Sequence, residues 1–416
     1  MGALETYSRY VNDDWLQTLA PLGEVPVFIR AGGDRLHDSQ GDEWFDFIGH
    51  YGAMLFGHHH PALQQALIAA LADELPIGAP LGITAHGATL AQQLVEKLAL
   101  GDGWNNWTLT TGAEAVEGAL KIALTVTGRQ KILARAGAFH GLSSLTLALN
   151  NMPFWRQGYE ALVPDDGVTF FDDPQDLPAL LASGEYAAVI IEPLQAIAGG
   201  RRLDAAQAGA IRLACTNTGT LFIVDEIFTG LGRCGDYSAM QALGWAIRPD
   251  IILLAKTLTG GLMPSAQLLV KQPFFHAFTG RPGCAKLIAS TFSGNNLGHQ
   301  VALASLQLLT DTLETPGLMA RHDHFSSRLQ ALAVRYPRLL QGVSSLGALH
   351  FLHFTTPDAA QLSWHYLHAN KILTTLCAHQ PATLKLIPSL FQSDEANDAL
   401  YNVLDYVCEE ENEHVR

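Results

Sequence analysis

The chain has 416 residues, 48% hydrophobic and 16% charged, enough for a large core, and division into two domains is expected. Its formal charge of −15 argues against a nucleic acid or an anionic membrane as a partner, since both are bound by basic faces. Its apolar stretches are broken well short of a bilayer span, and its first fifteen residues lack an apolar secretory core. Five cysteines with an odd count and no C-x-x-C spacing fit reduced thiols in a cytoplasm, not a disulfide framework or a zinc site.

Residues 1–50 read as a helical start followed by a small β-meander, with strands at 26–30 and 44–48 separated by the turn-rich Gly32-Gly33-Asp34 and Asp38-Ser-Gln-Gly-Asp42. Three consecutive histidines, His58, His59 and His60, invite a metal reading. Neighbours in a chain cannot all face one ion, and no carboxylate or cysteine lies beside them in the sequence, so no metal is expected. Residues 61–75 have helical spacing.

A short strand at 107–110 runs into Thr111-Gly112-Ala113-Glu114 and a helix. Small and hydroxyl residues at a helix start leave free N–H groups at a positive dipole end, which suits a phosphate; an ordinary capping box of Thr111 and Glu114 explains the same residues. Strands follow at 131–135, delivering Phe139-His140-Gly141, and at 186–191, delivering Glu192-Pro193-Leu194-Gln195. The run 221–225 is wholly apolar until it ends in Asp225-Glu226. Behind it, Gly230-Leu-Gly232-Arg-Cys-Gly235 spells a dinucleotide fingerprint, rejected because acids precede it and no apolar helix start follows.

The apolar run 251–255 reads as a strand buried on both faces of a parallel sheet, and it ends at Lys256. Active sites in such sheets lie outside the carboxyl ends of the strands. A lysine there is a candidate nucleophile towards carbonyls, and an acid at the end of another inner strand can hold a proton on a ring nitrogen. Pyridoxal phosphate (PLP) needs both. Beyond it, a long helical pattern spans 301–336, strands are expected at 347–354 and 383–387, and an acidic helix starts near Asp394.

Together these motifs resemble the class III (ω-)aminotransferases of PLP fold type I, whose signature D-E-[VI]-x-T-G-x-G-R followed by P-D-I-x-x-x-A-K-x-[LIM]-x-G-G is present in order. The resemblance implies an α/β fold in which a mostly parallel seven-stranded sheet is flanked by helices, with a smaller α/β domain built from both termini. The expected division is 1–50, 51–300 and 301–416. It implies Lys256 as the Schiff-base lysine and Asp225 on the ring nitrogen. Thr111, Gly112 and Ala113 would sit at the phosphate, Phe139 and His140 at the ring, and Glu192 and Phe228 beside it. Thr291 would reach the cofactor of the neighbouring subunit in a homodimer. Tyr51 lies in a segment similar to the family's substrate mouth.

Three departures bear on substrate. Phe228 stands where many relatives carry a glutamine. Ile197 stands where users of glutamate carry a glutamate. Lys385 falls where they carry an arginine, and a lysine cannot copy a guanidinium's two parallel bonds to a carboxylate. The wording is most similar to the putrescine aminotransferase branch, so the expected donor is a primary amine without a nearby carboxylate, and the molecule is free or carrier-linked. Another PLP reaction on the same scaffold (aminomutase, epimerase or decarboxylase) and a non-catalytic PLP-binding scaffold are the alternatives.

Overall fold

The computed structural model describes residues 2–159 and 165–414. Residues 61–316 form one compact unit, and residues 1–60 with 317–416 form another.

The larger unit is built on seven strands: β1 (Trp104–Leu109), β2 (Lys131–Arg135), β3 (Val168–Phe171), β4 (Tyr186–Ile191), β5 (Leu221–Asp225), β6 (Ile251–Leu254) and β7 (Ala266–Lys271), in the order β1-β7-β6-β5-β4-β2-β3. Only β7 runs against its neighbours; the remaining pairings are parallel. The continuous apolar runs are explained by position. Helices cover the sheet on its faces, and every residue of β4, β5 and β6 is buried.

Helix Gly112–Thr127 shows how sequence places an element. Thr111 and Glu114 close a capping box at its start, and Gly128, at φ 70°, ends it in a left-handed turn. Ala115, Val116, Ala119, Ile122 and Ala123 recur at helical spacing and pack into the core beneath β4 to β6. At Gly118 a Cβ would stand 2.8 Å from Ile288 Cγ2 and 2.9 Å from Leu268 Cδ2, so the missing side chain lets the helix approach β7. The parallel arrangement leaves the carboxyl ends of β2, β4, β5 and β6 on one edge of the sheet.

The smaller unit joins both chain ends. An antiparallel ribbon of Phe28–Gly32, Arg35–Asp38 and Glu43–Asp46 gains Ile372–Leu373 as a parallel fourth strand. A second, antiparallel sheet holds Leu340–Ser345, His350–Phe354, Gln380–Leu386 and Thr375–Cys377. Phe47, Phe325, Leu329, Leu352, Leu384 and Leu400 lie in its core.

Three details differ from the sequence reading. The meander has a third strand, Arg35–Asp38, between the two turns, pinned where Asp38 Oδ2 accepts Trp44 Nε1–H at 2.8 Å. The long helix of 301–336 is two helices, Asn296–Glu314 and Leu318–Arg335, because Pro316 has no N–H and Gly317 adopts φ 85°. The histidine run does have a carboxylate, brought by the fold: His58 Nε2 meets Asp46 Oδ2 at 2.8 Å, while the His60 ring stacks on Phe391 with centroids 5.6 Å apart. No helix among the described residues is long and apolar enough to cross a membrane.

Candidate active site

Asp225 is the last residue of β5, and Lys256 lies two residues beyond the end of β6. These strands are parallel neighbours, with Asp225 in register with Leu253, so acid and amine emerge side by side on one edge. Asp225 is buried. Its Oδ1 accepts the Ile227 N–H at 3.0 Å and its Oδ2 meets His140 Nδ1 at 2.7 Å. Burial alone would lower the His140 pKa, but the hydrogen bond and charge of Asp225, with the charge of Glu192, outweigh it and raise it.

Lys256 opens a short turn, Lys256–Thr259, at φ 28°, in the region that favours glycine. Left-handed backbone at a non-glycine residue costs about 1–3 kcal/mol and collects where function demands it. Its Nζ lies 4.5 Å from the centroid of the Phe228 ring, whose π-face attracts a cation. The turn is braced by Thr257 Oγ1, which donates to Gly230 O at 3.1 Å.

Glu192 follows β4, buried, with Oε1 accepting the Phe139 N–H at 2.9 Å. Burial pushes its pKa up to about 7, with Asp225 adding to the rise and His140, the Phe139 N–H and Lys256 opposing it. The Phe139 ring lies 5.7 Å from that of Trp155, at 59°. The start of helix Gly112–Thr127 reaches the same edge: a Cβ on Gly112 would stand 2.9 Å from Ile227 Cδ1, two residues past Asp225. Gly141, at φ 116°, packs against Ala113 just as closely.

These residues fit PLP. The set offers a helix N-terminus for a phosphate, a buried carboxylate for a ring nitrogen, an aromatic ring and an amine on one sheet edge. His140 Nε2 is a further buried polar atom with no partner among the described residues.

The other expected residues are spread over both units. Ile197 is half-buried in the turn between Leu194–Gln195 and Arg201–Arg202. Thr291 is exposed in a turn beside Ser290, whose hydroxyl meets that of Thr110 at 3.1 Å. Tyr51 and Lys385 belong to the smaller unit: Tyr51 is exposed at φ 54°, and Lys385 is 5% exposed on strand Gln380–Leu386.

Sequence reasoning gave no role to Glu226. It is buried, and it accepts Thr229 Oγ1–H at 2.5 Å and the N–H groups of Ala239 and Met240 at 3.0 Å, tying down the whole turn after Asp225. This bracing explains why the glycine-rich stretch 230–235 is a closed turn and not a helix start. Trp155 was also missed, since a lone Trp beyond a loop carries no signal. A cleft of about 1040 Å³ lined by Gln92, Glu96, Trp104, Asn106 and Arg248 lies at the amino end of β1, on the opposite sheet edge. Chemistry, not size, therefore locates the site.

The family model of Aminotransferase class-III matches residues 22–407. The chain is 29% identical to putrescine aminotransferase of Pectobacterium atrosepticum, covering 93% of this chain and 84% of that one. It is 31% identical to acetylornithine aminotransferase of Streptomyces coelicolor, covering 95% and 94% respectively. The solved ornithine aminotransferase of Toxoplasma gondii has the same fold, with a TM-score of 0.83 over the whole of both chains at 23% identity.

Proposed function

The chain belongs to the class III aminotransferases, PLP enzymes, and from that premise we propose that it moves an amino group between a primary amine lacking a nearby carboxylate and an oxo acid or aldehyde. The observation that carries the site is the placing of Asp225 and Lys256 at the ends of adjacent parallel strands. Isoleucine at 197 and lysine at 385, in place of glutamate and arginine, support a donor without an α-carboxylate, as does the similarity to a putrescine aminotransferase. The donor is a diamine, an alkylamine or a carrier-linked amine.

When bound, PLP supplies an aldehyde carbon that an amine can take and a ring that accepts negative charge. Gly112 and Ala113 would hold the phosphate with backbone N–H groups, and Thr111 stands beside it as the helix cap. Asp225 would keep a proton on the ring nitrogen. His140 Nδ1, bonded to Asp225 Oδ2, would hold that carboxylate in place. Phe139 would cover one face of the ring and exclude water from it, with Phe228 beside the amine. Lys256 Nζ would hold the aldehyde and, once free, would carry the proton from the carbon that bears the amino group.

The active unit is a homodimer with Thr291 contributed in trans. Leu81, Ile83 and Phe292 support this, being 99%, 94% and 67% exposed. Their segments are tied to one another by Lys286 Nζ–H to Pro80 O at 2.8 Å and Asn296 N–H to Ile77 O at 2.9 Å, which brings the stretches that carry these exposed apolar residues together, as at an interface. Five cysteines, none in a disulfide among the described residues, support a cytoplasmic setting.

The test is an absorbance spectrum of PLP-loaded protein before and after adding diamines, alkylamines, alanine and glutamate. Collapse of the lysine-bound band at roughly 410–430 nm with amines but not with glutamate is the expected result. Collapse with glutamate refutes the proposed donor class, and no band at all refutes the role of Lys256.

A further inference from the structure

Glu192 bridges two strand ends: it follows β4, and its Oε1 holds the Phe139 N–H, beyond the end of β2, at 2.9 Å. Its side chain is buried, so the bond is made away from water, where an acceptor is hard to replace. Four charged or titratable groups face it: His140 and Arg135 from the β2 end, Asp225 from β5 and Lys256 from β6. On its other side the Phe139 ring abuts Trp155, which lies 4.5 Å from Phe154, so ring and backbone are each held from one direction. We propose that Glu192 is a positioning residue that sets the Phe139 ring against the cofactor by holding the Phe139 N–H, and that it does not itself bind the cofactor.

This inference rests on the site reading above and changes the role of one member. A carboxylate grips an N–H more strongly than a neutral oxygen does, so the hold on Phe139 tightens as Glu192 ionises. Because burial brings the Glu192 pKa up to about 7, that tightening falls within the ordinary working range.

Two substitutions separate the possibilities. Glu192→Gln keeps an oxygen for the Phe139 N–H but cannot ionise; Glu192→Ala removes the acceptor. The first readout is hydrogen exchange of the apo protein, followed by mass spectrometry on peptides spanning 136–142. Exchange at Phe139 is expected to be slow in the parent and the Gln variant and about tenfold faster in the Ala variant. The second readout is PLP affinity by equilibrium dialysis at pH 6 and pH 8. The Ala variant is expected to lose about tenfold, and the Gln variant about threefold or less, with the part of the pH difference owed to Glu192 gone.

Unchanged exchange in the Ala variant overturns the proposal. So does an equal loss of affinity in both variants with exchange preserved, which makes Glu192 a direct ligand. If the Ala variant does not fold, the Gln variant decides: a pH dependence identical to the parent's overturns it. Exchange in the apo protein involves no substrate, so failure of the transaminase reading appears in the absorbance test and leaves this result intact.

Discussion

Gly141→Ala tests whether the loop carrying Phe139 and the helix start at Gly112 are one fitted surface. Gly141 adopts φ 116°, and Asn150 Nδ2–H holds its carbonyl at 3.0 Å, so the backbone has little freedom to relax. An added Cβ would stand 2.9 Å from Ala113 Cβ, 3.0 Å from Thr146 Oγ1 and 3.3 Å from Ala113 Cα. Backbone strain costs about 1–3 kcal/mol and the overpacking about 1–3 kcal/mol, so a loss of about 2–6 kcal/mol is expected. At ~2.1 cal/mol/K per residue over 416 residues the unfolding entropy is about 0.9 kcal/mol/K, which makes this a fall of roughly 2–7 °C in apo-protein melting. PLP affinity should fall with it, because Ala113 is pushed at the proposed phosphate seat. Adding Ala113→Gly removes the shortest of these contacts and leaves the strain and the Thr146 Oγ1 contact. Measured as a double-mutant cycle, the pair should couple favourably by about 0.5–3 kcal/mol. No coupling, or a single variant that melts and binds PLP as the parent does, refutes the argument.

Lys256→Ala should fold, bind PLP without the lysine-bound absorbance, and show no amine-driven half-reaction; conversion at the parental rate refutes its role. Asp225→Asn keeps an acceptor for the Ile227 N–H but loses the charge that faces His140, so kcat should fall by about 10²-fold or more while the far-ultraviolet circular dichroism is unchanged. Glu192→Gln should also change the pH dependence of apo-protein stability. The folded protein holds the Glu192 proton up to about pH 7, whereas the unfolded chain releases it near 4.5, so the folded state binds more protons between these values and parental stability falls as pH rises. The variant lacks this loss. Its stability relative to the parent should therefore rise from pH 4.5 to 7 by up to roughly 3 kcal/mol in urea titrations, and a constant difference contradicts the burial argument.

Much of the larger sheet was legible because inner strands of a parallel sheet are apolar on both faces, which makes runs such as Ile251–Leu254 stand out. The helix start at Gly112 was legible because its cap is local: Thr111 and Glu114 are three residues apart. Elements set by competition between signals were not. Arg35–Asp38 is a four-residue strand set directly between the turn residues Gly33-Asp34 and Asp38-Ser39, so turn chemistry hid it. The break at Pro316 and Gly317 falls inside an apolar pattern that continues on both sides, and the pattern outweighed two residues.

The site divides along the same line. Asp225 and Lys256 could be named because each ends a strand, and strand ends are read from a single segment. The pairs that give them their properties could not, since His140 and Asp225 are 85 residues apart and Phe139 and Glu192 are 53 apart. Hydrophobic period says that strands exist, not which of them are neighbours. Lys385 makes the point for the substrate side. In the sequence it is a cation placed where relatives carry arginine. In the fold it is buried on strand Gln380–Leu386, opposite Phe351 and Thr375 across the sheet, and it is already engaged. A lysine that already has a partner offers no free charge, and an ammonium cannot copy a guanidinium's two parallel bonds to a carboxylate, so the glutamate arm of the absorbance test is expected to fail while the diamine arm succeeds.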